Sequence, residues 1–326
     1  MNGHFVNKVF QTNNSTFWDT ALRMFQYQYA QNPLYRLFCD NLKIIPKAVN
    51  AAAVIPFLPI SFFKTHKVIC GEFQPEVIFE SSGTTKMMQS RHMVKHLDVY
   101  RKSFTKTFEL FYGKPQEWCI VGLLPSYLER TGSSLVFMVK ELIEASAHSY
   151  NGFYLNNTSE LKRTIQLLEQ QQQKTLLIGV TYALLDFAEQ FPVSLKHTVV
   201  METGGMKGRR KELMREQVHD ILMKSFQVNT IHSEYGMTEL LSQAYSHGGG
   251  IFKCPPWMKI MIRDEDDPML LSEQGRGALN IIDLANIHSC SFIATDDVGE
   301  VFEDGSFKVL GRMDNSDVRG CSLLAF

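Results

Sequence analysis

In the middle of the chain, short uninterrupted apolar runs alternate with longer stretches in which apolar residues recur every three or four positions. The first pattern predicts buried strands and the second amphipathic helices. Strands are expected over 118–124, 175–180, 197–201 and 229–233, and helices over 133–147, 159–172, 182–190 and 209–226. Leu161, Ile165 and Leu168 share one face of the second helix, and Leu213, Val218, Ile221 and Leu222 line the last. Residues 15–45 have helical spacing (Phe17, Leu22, Phe25, Tyr29) broken near Pro33 and Pro46. After residue 257 the texture changes to short strands with turn signals, and Asp304-Gly305 reads as a hairpin. Strands alternating with helices predict an α/β fold with mainly parallel sheets flanked by helices, plus a small β-rich subdomain centred on 276–310. The expected division is an N-terminal helical segment (1–75), an α/β core (76–257), and a β-rich subdomain with a C-terminal tail (258–326).

Composition narrows the function classes. Lys and Arg total 33 against 34 Asp and Glu, so the basic excess of a generic nucleic-acid binder is missing. With 44% hydrophobic residues and 23 Phe the chain has the material for a packed core, which argues against disorder. The six cysteines are widely and irregularly spaced, with no zinc-finger pattern, and are expected as free thiols in a cytoplasmic protein. The first residues lack the pattern of a secretory signal, and the apolar run 51–63 contains two prolines and is too short to span a bilayer.

Ligands of parallel α/β sheets collect at the carboxyl ends of strands, which directs attention to Pro125-Ser126, to 202–205 and to 234–239. Ser81, Ser82, Gly83, Thr84, Thr85 and Lys86 follow an apolar strand over 77–79. Hydroxyls and amides on such a turn suit phosphate oxygens, though a solvated turn has the same composition. HSEYGMTE (232–239) offers an aromatic beside Gly236 for a base, and Thr238 and Glu239 for a phosphate and its metal ion; a helix start capped by Thr238 is the plainer alternative. Asp296-Asp297 could accept a ribose diol or open a turn, and Arg312 could face phosphate or form a surface ion pair. Cys321, beside Arg319, is either an activated thiol or a small buried residue. HExxH and GxSxG are absent from the sequence, so a hydrolase triad has no support.

Their order says more than any one motif. SSGTT, a GG turn, YGMTE, a T-x-D element and GRxD follow one another as in the adenylate-forming superfamily of acyl-CoA ligases and luciferases. More closely, FESSGTTKMMQSRHMV, LPSYLERTGSSLVFMVKELI, METGGMKGRRKEL, HSEYGMTELLSQAY and GRMDNSDVRGCSLL resemble the LuxE-type acyl-protein synthetases from about residue 77 onward. That resemblance implies the N-terminal domain fold of adenylate-forming enzymes without their mobile C-terminal domain. It also implies a reaction in which a carboxylic acid and ATP with Mg2+ give an acyl-adenylate, whose acyl group passes to a thiol. By the same resemblance Ser81, Ser82, Gly83, Thr84 and Thr85 hold phosphate, and Gly204 and Gly205 border the adenine and acyl pockets. Tyr235 and Gly236 lie beside adenine, Thr238 contacts the α-phosphate and Glu239 binds magnesium. Asp297 binds ribose with Arg312 next to it, and Cys321 accepts the acyl group. Lys86, standing where the phosphate loop usually closes with Gly, is the candidate for the adenylation lysine that the mobile domain otherwise supplies. An acyl-accepting protein (a reductase or an acyl carrier protein) or coenzyme A is the expected recipient. A ligase that loads coenzyme A or a carrier directly, and a non-catalytic nucleotide-binding scaffold, are the alternatives.

Overall fold

The computed structural model describes residues 3–49, 54–82, 88–125, 131–204, 213–264 and 267–313. Helices α1 (Gly3–Val9), α2 (Phe17–Gln31) and α3 (Pro33–Asn41) open the chain. Pro33 starts a helix rather than merely ending one. The Asn32 side chain accepts a hydrogen bond from the Tyr35 amide at 3.0 Å, and proline in the first turn forfeits no intrahelical bond. Strand β1 (Leu58–Pro59) and helix α4 (Phe62–Thr65) follow, then a separate antiparallel pair, β2 (Val77–Glu80) and β3 (Arg91–Val94).

The α/β centre comes next in the chain: α5 (Leu97–Tyr112), β4 (Cys119–Leu123), α6 (Ser134–Ser146), β5 (Gly152–Phe153), α7 (Thr158–Gln170), β6 (Thr175–Val180), α8 (Thr181–Gln190), β7 (Thr198–Thr203), α9 (Arg215–Phe226) and β8 (His232–Tyr235). Strands β5, β4, β6, β7 and β8 lie side by side in parallel. β4 and β6 are buried along their whole length, as strands covered on both faces must be. The predicted elements are all present with shifted ends. At β8 the strand begins at His232 rather than at 229 and runs on through Glu234 to Tyr235.

The remaining strands are antiparallel and extend the same sheet: β9 (Ala244–Ser246), β10 (Phe252–Lys253), β11 (Met258–Arg263), β12 (Leu271–Ser272), β13 (Gly275–Asp283), β14 (Phe292–Val301) and β15 (Phe307–Arg312). Among the described residues the order is β12-β11-β13-β14-β15-β10-β9-β8-β7-β6-β4-β5, with β1 added beside β14. The β14–β15 hairpin turns at Gly305, whose φ of +77° favours glycine. Asp296 and Asp297 lie inside β14 and not in a turn.

The N-terminal helices dock on this antiparallel part. Phe25, Tyr35 and Phe57 surround Phe292, and the buried Gln28 side chain donates to the Asn286 carbonyl (2.8 Å) while accepting from the Ser291 amide (2.8 Å). Pairing both ends of that amide removes the penalty of burying it. The five described cysteines form no disulfide. Among the described residues no helix is long and apolar enough to cross a membrane.

Candidate functional site

A cleft of about 200 Å³ opens where the parallel strands end and the β14–β15 hairpin passes over them. Of the residues singled out from sequence, Ser81, Ser82, Gly204, Tyr235, Gly236, Thr238, Asp297 and Arg312 line it. They come from positions more than two hundred residues apart. Parallel strands deliver the loops after β7 and β8, and pairing of Asp297 with Arg312 across β14 and β15 delivers the other wall. Gly83, Thr84, Thr85, Lys86, Gly205 and Cys321 lie outside the described residues.

Asp297 is the best-defined centre. One carboxylate oxygen accepts from the Tyr235 hydroxyl at 2.7 Å, and the other meets the Arg312 guanidinium at 3.2 Å. All three groups are largely shielded from solvent, which strengthens each contact. Arg312 is therefore no surface ion-pair residue. The Tyr235 ring packs on Phe252 and Phe307, and burial first, then the neighbouring Asp297, hold its hydroxyl protonated. Gly204 has φ +74°, so the turn leaving β7 depends on glycine.

The segment from Gly236 to Gln243 is a loop and not a capped helix. It is held from beneath by residues that the sequence reading did not single out. The buried Asp283 carboxylate, at the end of β13, accepts from the Leu241 and Ser242 amides (2.8 and 3.0 Å) and from the Ser242 hydroxyl (2.6 Å). Asn286 donates to the Glu239 carbonyl at 2.8 Å. On the other side the buried His92 ring bonds the Thr238 carbonyl at 2.9 Å. Burial pushes that imidazole down to about 4, so it is the neutral ring's N–H that donates and orients Thr238. Glu239 itself is fully buried and does not line the cleft, although Thr238 beside it does. Among the described residues no group of three His, Cys, Asp or Glu could hold a metal ion unaided.

Glu80, Glu202 and Glu234 also line the cleft, and the last two are buried. Glu202 contacts Arg215 (3.2 Å), His219 (3.6 Å) and the Thr181 hydroxyl (3.2 Å). Burial alone would raise its carboxyl, but the bond to His219 and the Arg215 charge together bring it down to about 2. Glu234 accepts from the Thr203 hydroxyl at 2.5 Å, and burial holds its carboxyl up at about 7. Their segments were legible as strand ends; their charge states depend on neighbours the sequence does not reveal.

The family model described as "Acyl-protein synthetase, LuxE" matches residues 8–325. Two curated relatives, each named long-chain-fatty-acid–luciferin-component ligase, come from Aliivibrio fischeri and Vibrio harveyi. They are 21% and 22% identical, span 92% of this chain, and are themselves covered over 85% and 84% of their length. Among solved structures, 2-hydroxyisobutyryl-CoA ligase in its postadenylation state superposes with a TM-score of 0.67 at 13% identity, over 95% of this chain and 71% of that one. ATP-bound MatB from Rhodopseudomonas palustris superposes with a TM-score of 0.56 at 14% identity, over 74% of this chain. The chain spans 49% of MatB's length, so the likeness concerns the fold of that part. With its fold that of the adenylate-forming enzymes and the family match running nearly end to end, this chain belongs to the LuxE acyl-protein synthetase family of ligases.

Proposed function

We propose that this enzyme activates a carboxylic acid, of the fatty-acid class named in its curated relatives, with ATP and passes the acyl group to a thiol. The observation that carries the reading is Asp297, held by Tyr235 and Arg312 in the same cleft as Ser81, Ser82 and Thr238. This donor set fits a nucleoside triphosphate: a fixed carboxylate to accept ribose hydroxyls, an aromatic residue at the base side, hydroxyls and a guanidinium for phosphate. Magnesium asks for only one or two protein carboxylates when phosphates supply other ligands. Glu239 is the residue we assign to it, and since its side chain is buried behind Thr238 it would have to turn into the cleft to hold the ion. The ion would neutralise phosphate charge there.

In the first step a carboxylate oxygen attacks the α-phosphorus; a carbon–oxygen–phosphorus link forms and the bond to pyrophosphate breaks. Holding both reactants in one cleft makes the encounter effectively intramolecular, with Thr238 oriented by His92 at the α-phosphate. In the second step a thiolate sulfur, assigned to Cys321, attacks the acyl carbon and AMP departs. The thioester then passes to an acyl-accepting protein.

Intact-protein mass after incubation with MgATP and a panel of fatty and aryl acids tests this, with Cys321→Ser in parallel. The expected result is an acyl adduct on the wild type that hydroxylamine removes, none on the variant, and acid-dependent pyrophosphate exchange in both. Absence of exchange with every acid would overturn the adenylation reading. Exchange without an adduct would move the acceptor from Cys321 to coenzyme A or a carrier.

A further inference from the structure

Neighbouring residues of a strand point to opposite faces, so β8 gives the cleft two different walls. Tyr235 turns to one face, where its hydroxyl meets Asp297. Glu234 turns to the other, where it meets Thr203 and where Tyr100 of α5 and Met138 of α6 also line the cleft. The wall opposite Asp297 is the one left for the acyl chain once a nucleotide is placed against Asp297.

Two polar side chains converge at one point of that wall. Glu234 and Gln243 both close on Gly236: a Cβ there would collide with the Glu234 carboxylate and would lie 3.4 Å from Gln243 Cγ. Gln243 is 3% exposed and lines the cleft, yet among the described residues its side-chain carbonyl oxygen has no hydrogen-bond partner. An acceptor held away from water without a donor is costly, and native folds keep few of them. A ligand that supplies the missing partner resolves it, and the terminal torsion of a glutamine is soft enough to present the amide to one.

We propose that Glu234 and Gln243 form a hydroxyl-recognising subsite, so that the preferred substrate is a carboxylic acid bearing a hydroxyl on its acyl chain; this rests on the adenylation reading above. A hydroxyl donates and accepts at once, so it pairs with the Gln243 amide in either orientation of its oxygen and nitrogen. It also accepts the proton of a neutral Glu234, the form that burial favours. An unsubstituted chain would leave the Gln243 oxygen buried and unpaired, and sites built around a substrate hydroxyl discriminate strongly against analogues lacking it. Leu135, Met138 and Tyr100 supply apolar surface for the rest of the chain.

The test compares octanoate with its α-, β- and γ-hydroxy derivatives in pyrophosphate exchange, and in calorimetric binding to the full chain. The best hydroxy acid is expected to exceed octanoate in kcat/KM by about 10- to 100-fold, as one unmet buried hydrogen bond implies. Gln243→Leu should bring that ratio to about one by raising octanoate and lowering the hydroxy acid, with nucleotide affinity unchanged. Glu234→Gln should keep part of the preference but remove its pH dependence. Equal kcat/KM for all four acids in the wild type, or a preference that survives Gln243→Leu, would overturn the subsite. If no acid supports exchange, the adenylation reading fails, and the calorimetric ratio alone then accepts or rejects the hydroxyl subsite.

Discussion

The two faces of the parallel sheet beside the cleft hold the same side chain in opposite states. On the α9 face, Glu202 lies against Arg215 and His219 and is ionised down to about pH 2. On the α5–α6 face, Glu234 has a threonine hydroxyl for company and stays protonated up to about pH 7. Burial acts on both in the same direction; the partner decides whether the charged form survives it. One face is therefore an electrostatic brace, and the other is a neutral wall suited to an acyl chain.

The strongest way to break this contrast is to remove the brace. Glu202→Ala leaves Arg215 without its carboxylate and should destabilise the fold by about 3–5 kcal/mol, read from urea unfolding. An effect below about 1 kcal/mol would mean that the ion pair behaves as an exposed one.

Proton linkage should then separate the two carboxylates by sign. Glu202 titrates below its ordinary value of 4.5. Its contribution is present above that pH and is lost as pH falls toward 2. Glu234 titrates above its ordinary value, so its contribution is full below pH 4.5 and is lost as pH rises through about 7. Urea midpoints across pH should lose the acid limb in Glu202→Gln and the neutral limb in Glu234→Gln. The same limb lost in both variants would refute the contrast.

Smaller effects sharpen it. Tyr235→Phe removes the hydroxyl donor to Asp297 and should weaken nucleotide binding by about 1.5–3 kcal/mol, the range for a hydrogen bond to a charged group. Acid binding, on the opposite wall, should hardly change; calorimetry with each ligand checks both. Gly236→Ala pushes a methyl into the Glu234 carboxylate and should cost about 1–2 kcal/mol of stability. It should shift the neutral limb of the stability profile and leave the acid limb in place.

The α/β centre was legible because its signals are local. Continuous apolar runs such as 175–180 need no distant partner to be read as buried strands. The β14–β15 hairpin announced itself through Asp304-Gly305. Misreadings arose where polar residues are buried by tertiary contacts. Glu234 extends strand β8 beyond the expected end at Ser233, its side chain buried against Thr203, and Asp296-Asp297 sit inside a strand because Arg312 pairs across from Asp297. Asp283, Asn286 and His92 escaped notice because each acts on a loop distant in sequence, through hydrogen bonds that no spacing encodes.

The sequence by itself determined the class of fold and the family, since apolar periodicity and motif order are properties of the chain. Only the tertiary structure decided that Asp297 is fixed by Tyr235 and Arg312, that Glu202 is charged while Glu234 is neutral, and that the Gln243 carbonyl oxygen has no partner among the described residues. Those depend on which groups meet in a space closed to water, and that is set by packing.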